Sequence, residues 1–428
     1  MTPDRTPTGR PDERTHVVVL GAGYLAIWSA RALVRHGRGR LRVTVVAPSP
    51  VHAFHGWTGE VISGELPTTA PHSPIAEALP RATHVRGKAV RVDREARTVE
   101  VELTDGGSTR LEYDQLVVGV GAQEKVDLVP GMAEHAFTLR EAIRAGRLVE
   151  HLDERVAQAR AVPAGERADG ALDVVVVGGG LAGAETAIAI AQRLERNGAR
   201  TEGGRVRVVS ASETIGREFS PALRARLVAA LTANGIEVLA PARVVRVAAD
   251  GVELSDGTWI AATTTVATVG NRAVSVPGLD DLPRSEQGRL VVDDTFRAAP
   301  RVWAGGDAAE IPLPSGEPCP KDAAWAIGQG SWLGRNVALV LAGRDPRPFT
   351  WRSVGVTAGL GGGEALLDAW GMPFHGRMAW MSRAMFFGSY LPSRRQLGRV
   401  LNGLVRSRTR RARPAVGAAT PDTARSGR

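Results

Sequence analysis

The chain of 428 residues contains a single cysteine, Cys319. One thiol cannot form an intramolecular disulfide, and a Cys-x-x-Cys redox pair is excluded as well. The scarcity of cysteine is typical of a reducing compartment, which predicts a cytoplasmic location. Aromatic residues make up only 5% of the chain, whereas 50 glycines are present. This composition favours an α/β protein with many tight turns.

Long apolar runs are also missing. The chain has no stretch of about 18 uninterrupted apolar residues, so the pattern predicts no membrane-spanning helix. Residues 1–14 are polar and proline-rich and lack the apolar core of a signal peptide, and we expect them to be disordered. A chain of this length can form two or three domains with their own cores.

Positive charge is concentrated at the C-terminus. The net charge is +9, and the segment from residue 369 onward contains twelve arginines, no lysine and one acid, Asp422, a balance of +11. The rest of the chain therefore carries about −2. A basic tail suits an anionic membrane, a nucleic acid or simple solubility.

Two runs of β-branched residues each end in a glycine-rich turn. They are 16–20, followed by Gly21-Ala22-Gly23-Tyr24-Leu25-Ala26, and 173–177, followed by Gly178-Gly179-Gly180-Leu181-Ala182-Gly183. A strand that ends in such a turn and then begins a helix presents backbone N–H groups and the positive helix end to a pyrophosphate. Two copies predict two bound dinucleotides. The predicted contacts are Gly21, Gly23, Tyr24, Leu25 and Ala26 for one, and Gly178, Gly180, Leu181, Ala182 and Gly183 for the other.

The segments that follow each turn repeat one plan. After the first turn we predict a strand at 41–46, short alternating strands around 89–103, a buried strand that ends near Gly121, and a helix over 140–161. After the second we predict a strand at 206–210 and a helix over 221–234, and a final strand over 301–307. One nucleotide-binding domain is therefore interrupted by a second and then completed.

This arrangement resembles the two-dinucleotide flavoproteins of the pyridine nucleotide-disulfide oxidoreductase superfamily, and within it the type II NADH dehydrogenases. The resemblance covers nearly everything from Thr15 to about Val405. It depends on the stretches His52-Ala53-Phe54 to Gly64-Glu65-Leu66, Gly183-Ala184-Glu185, Trp303-Ala304-Gly305-Gly306-Asp307, Gln329-Gly330, Gly355, and Ala379-Trp380-Met381 through Tyr390-Leu391.

The resemblance implies two Rossmann-like domains and a C-terminal amphipathic helical segment. The expected divisions are 1–14, disordered; 15–165 and 289–345, the two parts of an FAD-binding domain; 166–288, an inserted NAD(P)H-binding domain; 346–405, a C-terminal domain with a membrane-interface or dimer helix; and 406–428, a basic disordered tail. Hydride would pass from NADH or NADPH to FAD, and the electrons would then pass to a quinone or another small acceptor without a redox disulfide.

The resemblance also assigns individual residues. Glu185 and Gln329 are the expected catalytic residues, Glu185 near the nicotinamide and flavin and Gln329 on the quinone side. Further cofactor contacts are expected at Ala89, Val90, Gly121, Gly270, Gly306 and Asp307. His52, His55 and Trp57 would pack around the flavin, and no metal site is indicated.

Each assignment has a plainer alternative. Asp307 could cap the helix that follows it, and Glu185 could simply complement the positive end of its own helix. Gln329 could be a helix-surface residue, and the His52–Trp57 segment an ordinary core loop. We interpret Cys319, which lies between two prolines, as structural.

Two departures from the family pattern bear on specificity. An acid normally ends the second strand and binds the ribose, but here those positions are occupied by Ala47 and Ser210. With Ser210 and nearby Arg217, the 2′-phosphate of NADPH is not repelled, so NADPH use is a hypothesis. The family's quinone-side amides are reduced to Gln329, with Trp325 and Gly328 altering the shape of that pocket.

The C-terminal stretch combines apolar and aromatic residues with arginines, as an interfacial helix does. We therefore expect peripheral binding to an anionic membrane on the cytoplasmic face, with a homodimer interface as the alternative. Nucleic acid is not expected, because no aromatic-interleaved or recognition-helix pattern is present. Two rival functions stay open, namely a ferredoxin or rubredoxin reductase-like enzyme with a protein acceptor, and a non-catalytic nucleotide-binding redox sensor.

Overall fold

The computed structural model describes residues 14–140 and 144–411, with only the backbone described for 408–411. Most of the predicted N-terminal disorder and most of the predicted disordered tail lie outside these ranges. Residues 406–411 continue the last helix, so the helix extends past the predicted boundary at residue 405.

The first sheet has eight strands. In spatial order they are Arg297–Ala299, Val302–Ala304, Gln115–Val118, Thr15–Leu20, Leu41–Ala47, Thr83–Asp93, Thr98–Leu103 and Ser108–Glu112. The five strands from Val302–Ala304 to Thr83–Asp93 run parallel to one another. Residues 17–20 have no exposed surface, which explains why these central strands are continuous runs of branched apolar residues rather than alternating ones.

The second sheet has five strands, all parallel. Their spatial order is Ala136–Phe137, Thr264–Ala267, Val174–Val177, Val206–Val209 and Ile236–Leu239. In both sheets the strand before the glycine turn lies between the next strand in sequence and a later one. The strand Ala136–Phe137 lies outside the predicted 166–288 range and yet belongs to this sheet.

The remaining strands form smaller sheets. They are Val51–Ala53 with His72–Pro74; Ala122–Glu124 with Asn271–Ala273; Val244–Ala248, Gly251–Leu254 and Trp259–Ala261; Leu290–Val291 with Ala309–Glu310; and Gly355–Gly361, Glu364–Ala369 and Met372–His375. The ribbon of Ala122–Glu124 and Asn271–Ala273 joins the two dinucleotide-binding domains.

Ten α-helices occur in the described residues. They are α1 (Tyr24–His36), α2 (Thr58–Ile62), α3 (Ile75–Ala78), α4 (Met132–His135), α5 (Arg144–Arg160), α6 (Leu181–Arg196), α7 (Pro221–Ala233), α8 (Ala323–Leu341), α9 (Gly376–Ser389) and α10 (Arg394–Arg411). Both α1 and α6 begin directly after a glycine turn, as predicted. The first residues of the helix predicted at 140–161 fall partly on 141–143, which lie outside the described ranges.

Helix α8 lies unusually close to α1. A methyl group on Gly330 would lie 2.5 Å from the carbonyl oxygen of Leu25, and one on Gly334 would lie 2.3 Å from that of Ser29. Only glycine permits this approach, because any side chain would overlap the backbone of the facing helix. The close packing brings residue 329 next to the end of the strand Val302–Ala304.

Three apolar clusters form the core. The largest joins the eight-stranded sheet with α1, α8 and buried residues of α9 and α10. The second surrounds α6 and includes Leu148, Leu152 and Val156 of α5, and the third lies on the other face of the five-stranded sheet. The predicted fold class, two Rossmann-like domains with the second inserted into the first, is confirmed.

Candidate active site between the two dinucleotide-binding folds

The first glycine turn has the geometry that a pyrophosphate cradle needs. Gly21 has φ +102° and donates its N–H to the carbonyl of Val46 at 2.8 Å. A methyl group on Gly21 would lie 2.4 Å from the carbonyl oxygen of Gly119, whereas one on Gly23 would meet nothing within 4 Å. Gly21 is therefore required by the turn, and Gly23 leaves open space at the N-terminus of α1, as the approach of a phosphate demands.

The second turn repeats this geometry. Gly178 has φ +129° and donates its N–H to the carbonyl of Val209 at 2.9 Å. A methyl group on Gly183 would lie only 2.0 Å from the carbonyl oxygen of Gly178, so the third glycine is required for the helix to pack against the strand. The turns differ at the helix N-terminus, where the Glu218 carboxylate lies 3.4 Å from the N–H of Leu181.

Of four further predicted contacts, Gly121 and Gly270 lie beyond the carboxyl ends of strands, whereas Ala89 and Val90 lie within the strand Thr83–Asp93. Gly121, with φ +74°, follows Gln115–Val118, and Gly270 follows Thr264–Ala267; both positions have open space where a Cβ would be. Ala89 and Val90 lie beyond Arg86, which pairs with the last residue of Leu41–Ala47. Val90 lies at an irregularity in the pairing between Ala89 and Arg91. Ligands of parallel α/β sheets bind at the carboxyl ends of the strands, where Gly121 and Gly270 lie.

Aromatic and histidine rings surround the start of α1. Tyr24 contacts His52 and Phe54 edge to face, with ring centroids 5.1 and 5.5 Å apart, and its hydroxyl accepts the N–H of His55 at 2.7 Å. His52 is 1% exposed, and its Nδ1 lies 2.8 Å from the carbonyl of Ala22. Burial lowers the pKa of His52 to about 4, so the ring is neutral.

Asp307 forms an ion pair across the domain junction. Its Oδ2 lies 2.5 Å from Nη2 of Arg140, whose Nη1 also donates to the carbonyl of Ala122. Residues Gly306–Ala308 form a 3₁₀ turn without a side-chain cap, followed by a strand. The helix-capping alternative for Asp307 therefore does not describe this turn.

Gln329 is buried, with 1% of its surface exposed. Its Oε1 accepts the N–H of Gly306 at 2.7 Å, and its Nε2 lies 3.0 Å from Sγ of Cys319. The surface-residue alternative for Gln329 is wrong, and the interpretation of Cys319 as structural agrees with this contact. Through its hydrogen bond with Gly306, the Gln329 amide fixes the position of the turn Gly306–Ala308, which includes Asp307. A catalytic role for Gln329 stays a prediction.

Glu185 lies in a charged cluster contributed by three parts of the chain. Its Oε1 accepts the N–H of Gly359 at 2.5 Å and lies 3.6 Å from Nη2 of Arg383 on α9. Nη1 of Arg383 also lies 2.6 Å from Oε1 of Glu60, and both of those side chains are 4% exposed. The guanidinium further lies 4.7 Å from the ring centroid of Phe387.

The electrostatics of this cluster favour a protonated Glu185. Burial raises its pKa to about 7, and the neighbouring Glu60 adds to the rise, while Arg383 and the Gly359 N–H oppose it. About a quarter of the side chain, 26%, stays exposed. Glu185 can therefore gain or release a proton near neutral pH, as a group that takes part in acid–base chemistry must.

Two positions bear on nucleotide selectivity. The Ser210 hydroxyl is 3% exposed and donates to the carbonyl of Ser212 at 2.8 Å, and a methyl group on Gly179 would overlap it. Arg217 is exposed seven residues further along. Among the described residues no carboxylate ends either second strand, in agreement with the predicted departure at Ala47 and Ser210.

The start of α8 is occupied by large rings. Asp322 caps the helix by accepting the N–H of Trp325 at 2.9 Å. Trp325 and Trp351 meet edge to face with centroids 5.2 Å apart, and a methyl group on Gly328 would lie 2.5 Å from the ring of Trp351. Gly328 is therefore required by the tryptophan that covers it.

Sequence reasoning missed four charged residues at this site, namely Arg140, Glu60, Glu218 and Arg383. The sequence does mark Arg383, because it is the only charged residue in the apolar segment 378–391. Burial of such a residue needs a paired acid, which predicts a partner but does not say where it lies. Among the described residues, no group of three or more potential metal ligands occurs.

The fold and the site together define an oxidoreductase of the two-dinucleotide flavoprotein class. The chain belongs to the pyridine nucleotide-disulphide oxidoreductase family, whose model matches residues 15–330. It is 32% identical over 307 residues to an NADH dehydrogenase-like protein of Mycobacterium tuberculosis, covering 69% of this chain and 73% of that protein.

Two other comparisons cover a larger share of the chain. The type II NADH:quinone oxidoreductase of Staphylococcus aureus is 25% identical, over 86% of this chain and 92% of that protein. The structure of NDH2 from Plasmodium falciparum in complex with NADH superposes with a TM-score of 0.81 at 13% identity, covering 92% of this chain and 98% of that chain. The predicted resemblance to type II NADH dehydrogenases is confirmed.

Proposed function

We propose that this protein binds FAD at the first glycine turn and NAD(P)H at the second, and that it reduces a quinone. The observation that carries the proposal is the pair of glycine turns. Each lies at the carboxyl ends of the parallel strands of one sheet, and the ribbon of Ala122–Glu124 and Asn271–Ala273 joins the two sheets. FAD, when bound, supplies the chemistry, because a flavin accepts hydride and passes electrons on without a disulfide.

The residues of the chain bind and orient the two nucleotides. The open approach at Gly23 and the N-terminus of α1 fit a pyrophosphate, and Asp307 beyond the turn at Gly306 fits a hydroxyl of the ribityl chain. Arg140 offsets the charge of Asp307 and adds a cation beside the same groove.

Glu185 has the role of holding a proton. Its pKa of about 7 lets the carboxyl donate or accept a proton at Oε1 near neutral pH. Reduction of a quinone to a quinol consumes two protons, and a carboxyl that titrates near neutral pH can supply one of them. Arg383 is a positioning residue for Glu185, since its guanidinium contacts both Glu185 and Glu60.

We choose a quinone as the electron acceptor on two grounds, namely the names of the relatives and the aromatic surface formed by Trp325 and Trp351. A relative's name specifies a quinone as acceptor. Aromatic rings at the start of α8 provide an apolar surface on which a planar quinone ring can stack. A soluble protein acceptor would instead need an open polar face at that position.

NADPH is proposed as a substrate beside NADH. The ribose position of the second domain holds the buried Ser210 instead of an acid, so a 2′-phosphate meets no carboxylate there. Arg217 is exposed in the following segment and can supply a positive charge. A kcat/KM for NADH well above that for NADPH would contradict this proposal.

The C-terminal apolar surface supports membrane binding. We define it by residues that are 44–75% exposed, namely Trp370, Met372, Phe374, Met378, Met381 and Met385. No helix among the described residues is long and apolar enough to cross a bilayer. Exposed apolar side chains of this kind, in a segment that the basic α10 follows, fit peripheral attachment to an anionic leaflet on the cytoplasmic side.

The test of the redox proposal is anaerobic stopped-flow spectroscopy of the flavin-loaded protein. We expect rapid bleaching of the flavin by NADH and NADPH, followed by rapid reoxidation by a menaquinone analogue. Bleaching by the nucleotides without reoxidation by the quinone would mean that the electron acceptor is a protein or a metabolite, as in the reductase alternative. No bleaching with either nucleotide would favour the redox sensor.

The test of membrane binding is flotation with vesicles of phosphatidylcholine and phosphatidylglycerol. The wild-type protein is expected to float, and Met381→Glu with Met385→Glu is expected to reduce flotation, because two charges would enter the apolar surface. Analytical ultracentrifugation distinguishes the alternative, in which the same double variant dissociates a dimer and leaves flotation unchanged.

A further inference from the structure

A second large cleft lies away from both glycine turns. It has a volume of about 1320 Å³ and lies between the loop 64–70 of the first domain, the C-terminal ends of α6 and α7, and α10. With Gly362, the cleft is therefore formed by five separate parts of the chain. Nothing in the proposed redox reaction uses it.

Four arginines line this cleft. They are Arg196 and Arg200 at and beyond the end of α6, and Arg399 and Arg406 on α10. The lining acids are Glu65 and Glu195, which leaves an excess of two positive charges. Glu65 contacts Arg196 at 3.3 Å and also accepts the N–H of Gly362, so its carboxylate is already engaged within the protein.

Arg200 is the most informative of the four. Its Nη2 donates to the carbonyl of Gly235 at 3.2 Å, which fixes the guanidinium after the end of α7. Its Nη1 is inaccessible to water and has no hydrogen-bond partner among the described residues. A partly buried guanidinium that no carboxylate neutralises is costly, and an anion in the adjacent cleft would stabilise its charge.

Arg399, an exposed residue of α10, contributes a second cation to the lining of the cleft. Its Nη2 donates to the carbonyl of His72 at 2.9 Å, and neither Arg399 nor Arg200 has an ion pair with a carboxylate in the described part of the chain. Two guanidinium groups that line one cleft, each donating to a backbone carbonyl, favour an oxyanion there. Planar guanidinium groups bind the oxygens of carboxylates and phosphates in pairs, so an oxyanion such as phosphate suits this lining.

We propose that this cleft binds a phosphate-bearing anion through Arg200 and Arg399. The cleft is larger than a free phosphate needs, and Leu401 and Val405 of α10, 53% and 61% exposed, lie beside its arginine wall. A phospholipid would place its phosphate in the cleft and its acyl chains along those residues. A phosphorylated metabolite is the other source of the same chemistry.

The proposal concerns Arg200 of the second domain, so it is separable from general attraction of α10 to a negative surface. Non-specific adsorption would depend on the arginines of α10 and on the tail, but not on a side chain inside the cleft. It is also separable from the proposed redox function, because Arg200 contacts neither glycine turn.

The experiment compares flavin-loaded wild type, Arg200→Gln, Arg200→Lys and Arg399→Gln with Arg226→Gln, an exposed α7 residue outside the cleft lining. One arm measures calorimetric binding of inorganic phosphate and glycerol 3-phosphate at constant ionic strength, with chloride as the reference anion. The other measures flotation with phosphatidylcholine vesicles with and without phosphatidylglycerol.

We expect Arg200→Gln and Arg399→Gln each to weaken binding at least about tenfold, as loss of one charged hydrogen bond does. Arg200→Lys should lose less, and Arg226→Gln should match wild type. If the glutamine variants bind vesicles more weakly, the ligand is a lipid headgroup. If only their binding of the soluble phosphates is weaker, the ligand is a phosphorylated metabolite. The proposal is overturned if both glutamine variants bind as the wild type does in both arms. It is also overturned if the wild type does not prefer phosphate over chloride and neither variant changes vesicle binding.

Flavin content and thermal unfolding establish that the variants are folded. Should Arg200→Gln not fold, Arg399→Gln carries the test in the soluble-anion arm, where adsorption of α10 to a membrane plays no part. Flavin reduction by NADH is expected to be normal in all variants. A failure of the redox proposal would therefore not affect the outcome of these binding measurements.

Discussion

Replacement of Glu185 by glutamine is expected to change how stability depends on pH. Glutamine keeps the size of the side chain and an Oε1 that can accept the N–H of Gly359, but it does not titrate. In the wild type, burial raises the pKa of Glu185 from an ordinary value of 4.5 to about 7. The folded protein therefore binds the Glu185 proton more tightly than the unfolded chain does.

The sign and size of the effect follow from this difference. A raised carboxyl pKa contributes stability that is fully present below pH 4.5 and is lost as the pH rises through 7. The difference between 4.5 and 7 corresponds to about 3 kcal/mol. Because 26% of the side chain is exposed, solvent screening reduces this, and we expect about 1–3 kcal/mol.

The measurement is urea unfolding of the flavin-loaded protein between pH 5 and pH 8. The free energy of unfolding of Glu185→Gln should rise relative to wild type over this range, so that the variant has its largest advantage at pH 8. Glu286→Gln, at an exposed position, is the matched control and should show no such trend. In stopped-flow experiments, the wild-type rate of flavin reoxidation by quinone should change near pH 7, and the variant's rate should not.

Two results would refute the reasoning. A stability difference that does not vary with pH would mean that Glu185 does not titrate in this range. A difference that favours the variant more strongly at pH 5 than at pH 8 would mean that Arg383 lowers the pKa of Glu185 more than burial raises it.

Three further substitutions test other parts of the site. Gly183→Ala should lower the free energy of unfolding by about 1–3 kcal/mol in urea titrations, because the added methyl overlaps the Gly178 carbonyl, whereas Gly165→Ala, in open space, should not. Glu218→Gln should lower the KM for NADH about two- to fivefold at constant kcat, since it removes a negative charge from the N-terminus of α6; an unchanged KM in steady-state assays would contradict this. Gln329→Leu should cost about 1–3 kcal/mol by leaving the Gly306 N–H unpaired, and Gln329→Glu should retain the acceptor. If Gln329 only positions the turn, activity per bound flavin will be unchanged in Gln329→Leu.

Much of the fold and the positions of both nucleotide turns could be predicted from the sequence. A strand, a glycine turn and the start of a helix are adjacent in the chain, so their geometry depends on local sterics. Gly21 and Gly178 illustrate this, because both have positive φ and both donate to the end of the neighbouring strand. The amphipathic pattern of α10 was also predictable, although its burial of Val400 and Leu404 and exposure of Leu401 and Val405 required the structure.

Only the tertiary structure decided the partners of the charged groups. Arg383 and Glu60 are 323 positions apart, and Arg140 and Asp307 are 167 apart. Composition and spacing reveal that a buried charge needs a partner, but the identity of the partner depends on which helix faces pack together. Gln329 shows the same limit, since the close contact of α8 with α1 buries it against Gly306 and Cys319. Local sterics therefore determined the turns, and long-range packing determined the electrostatics of the site.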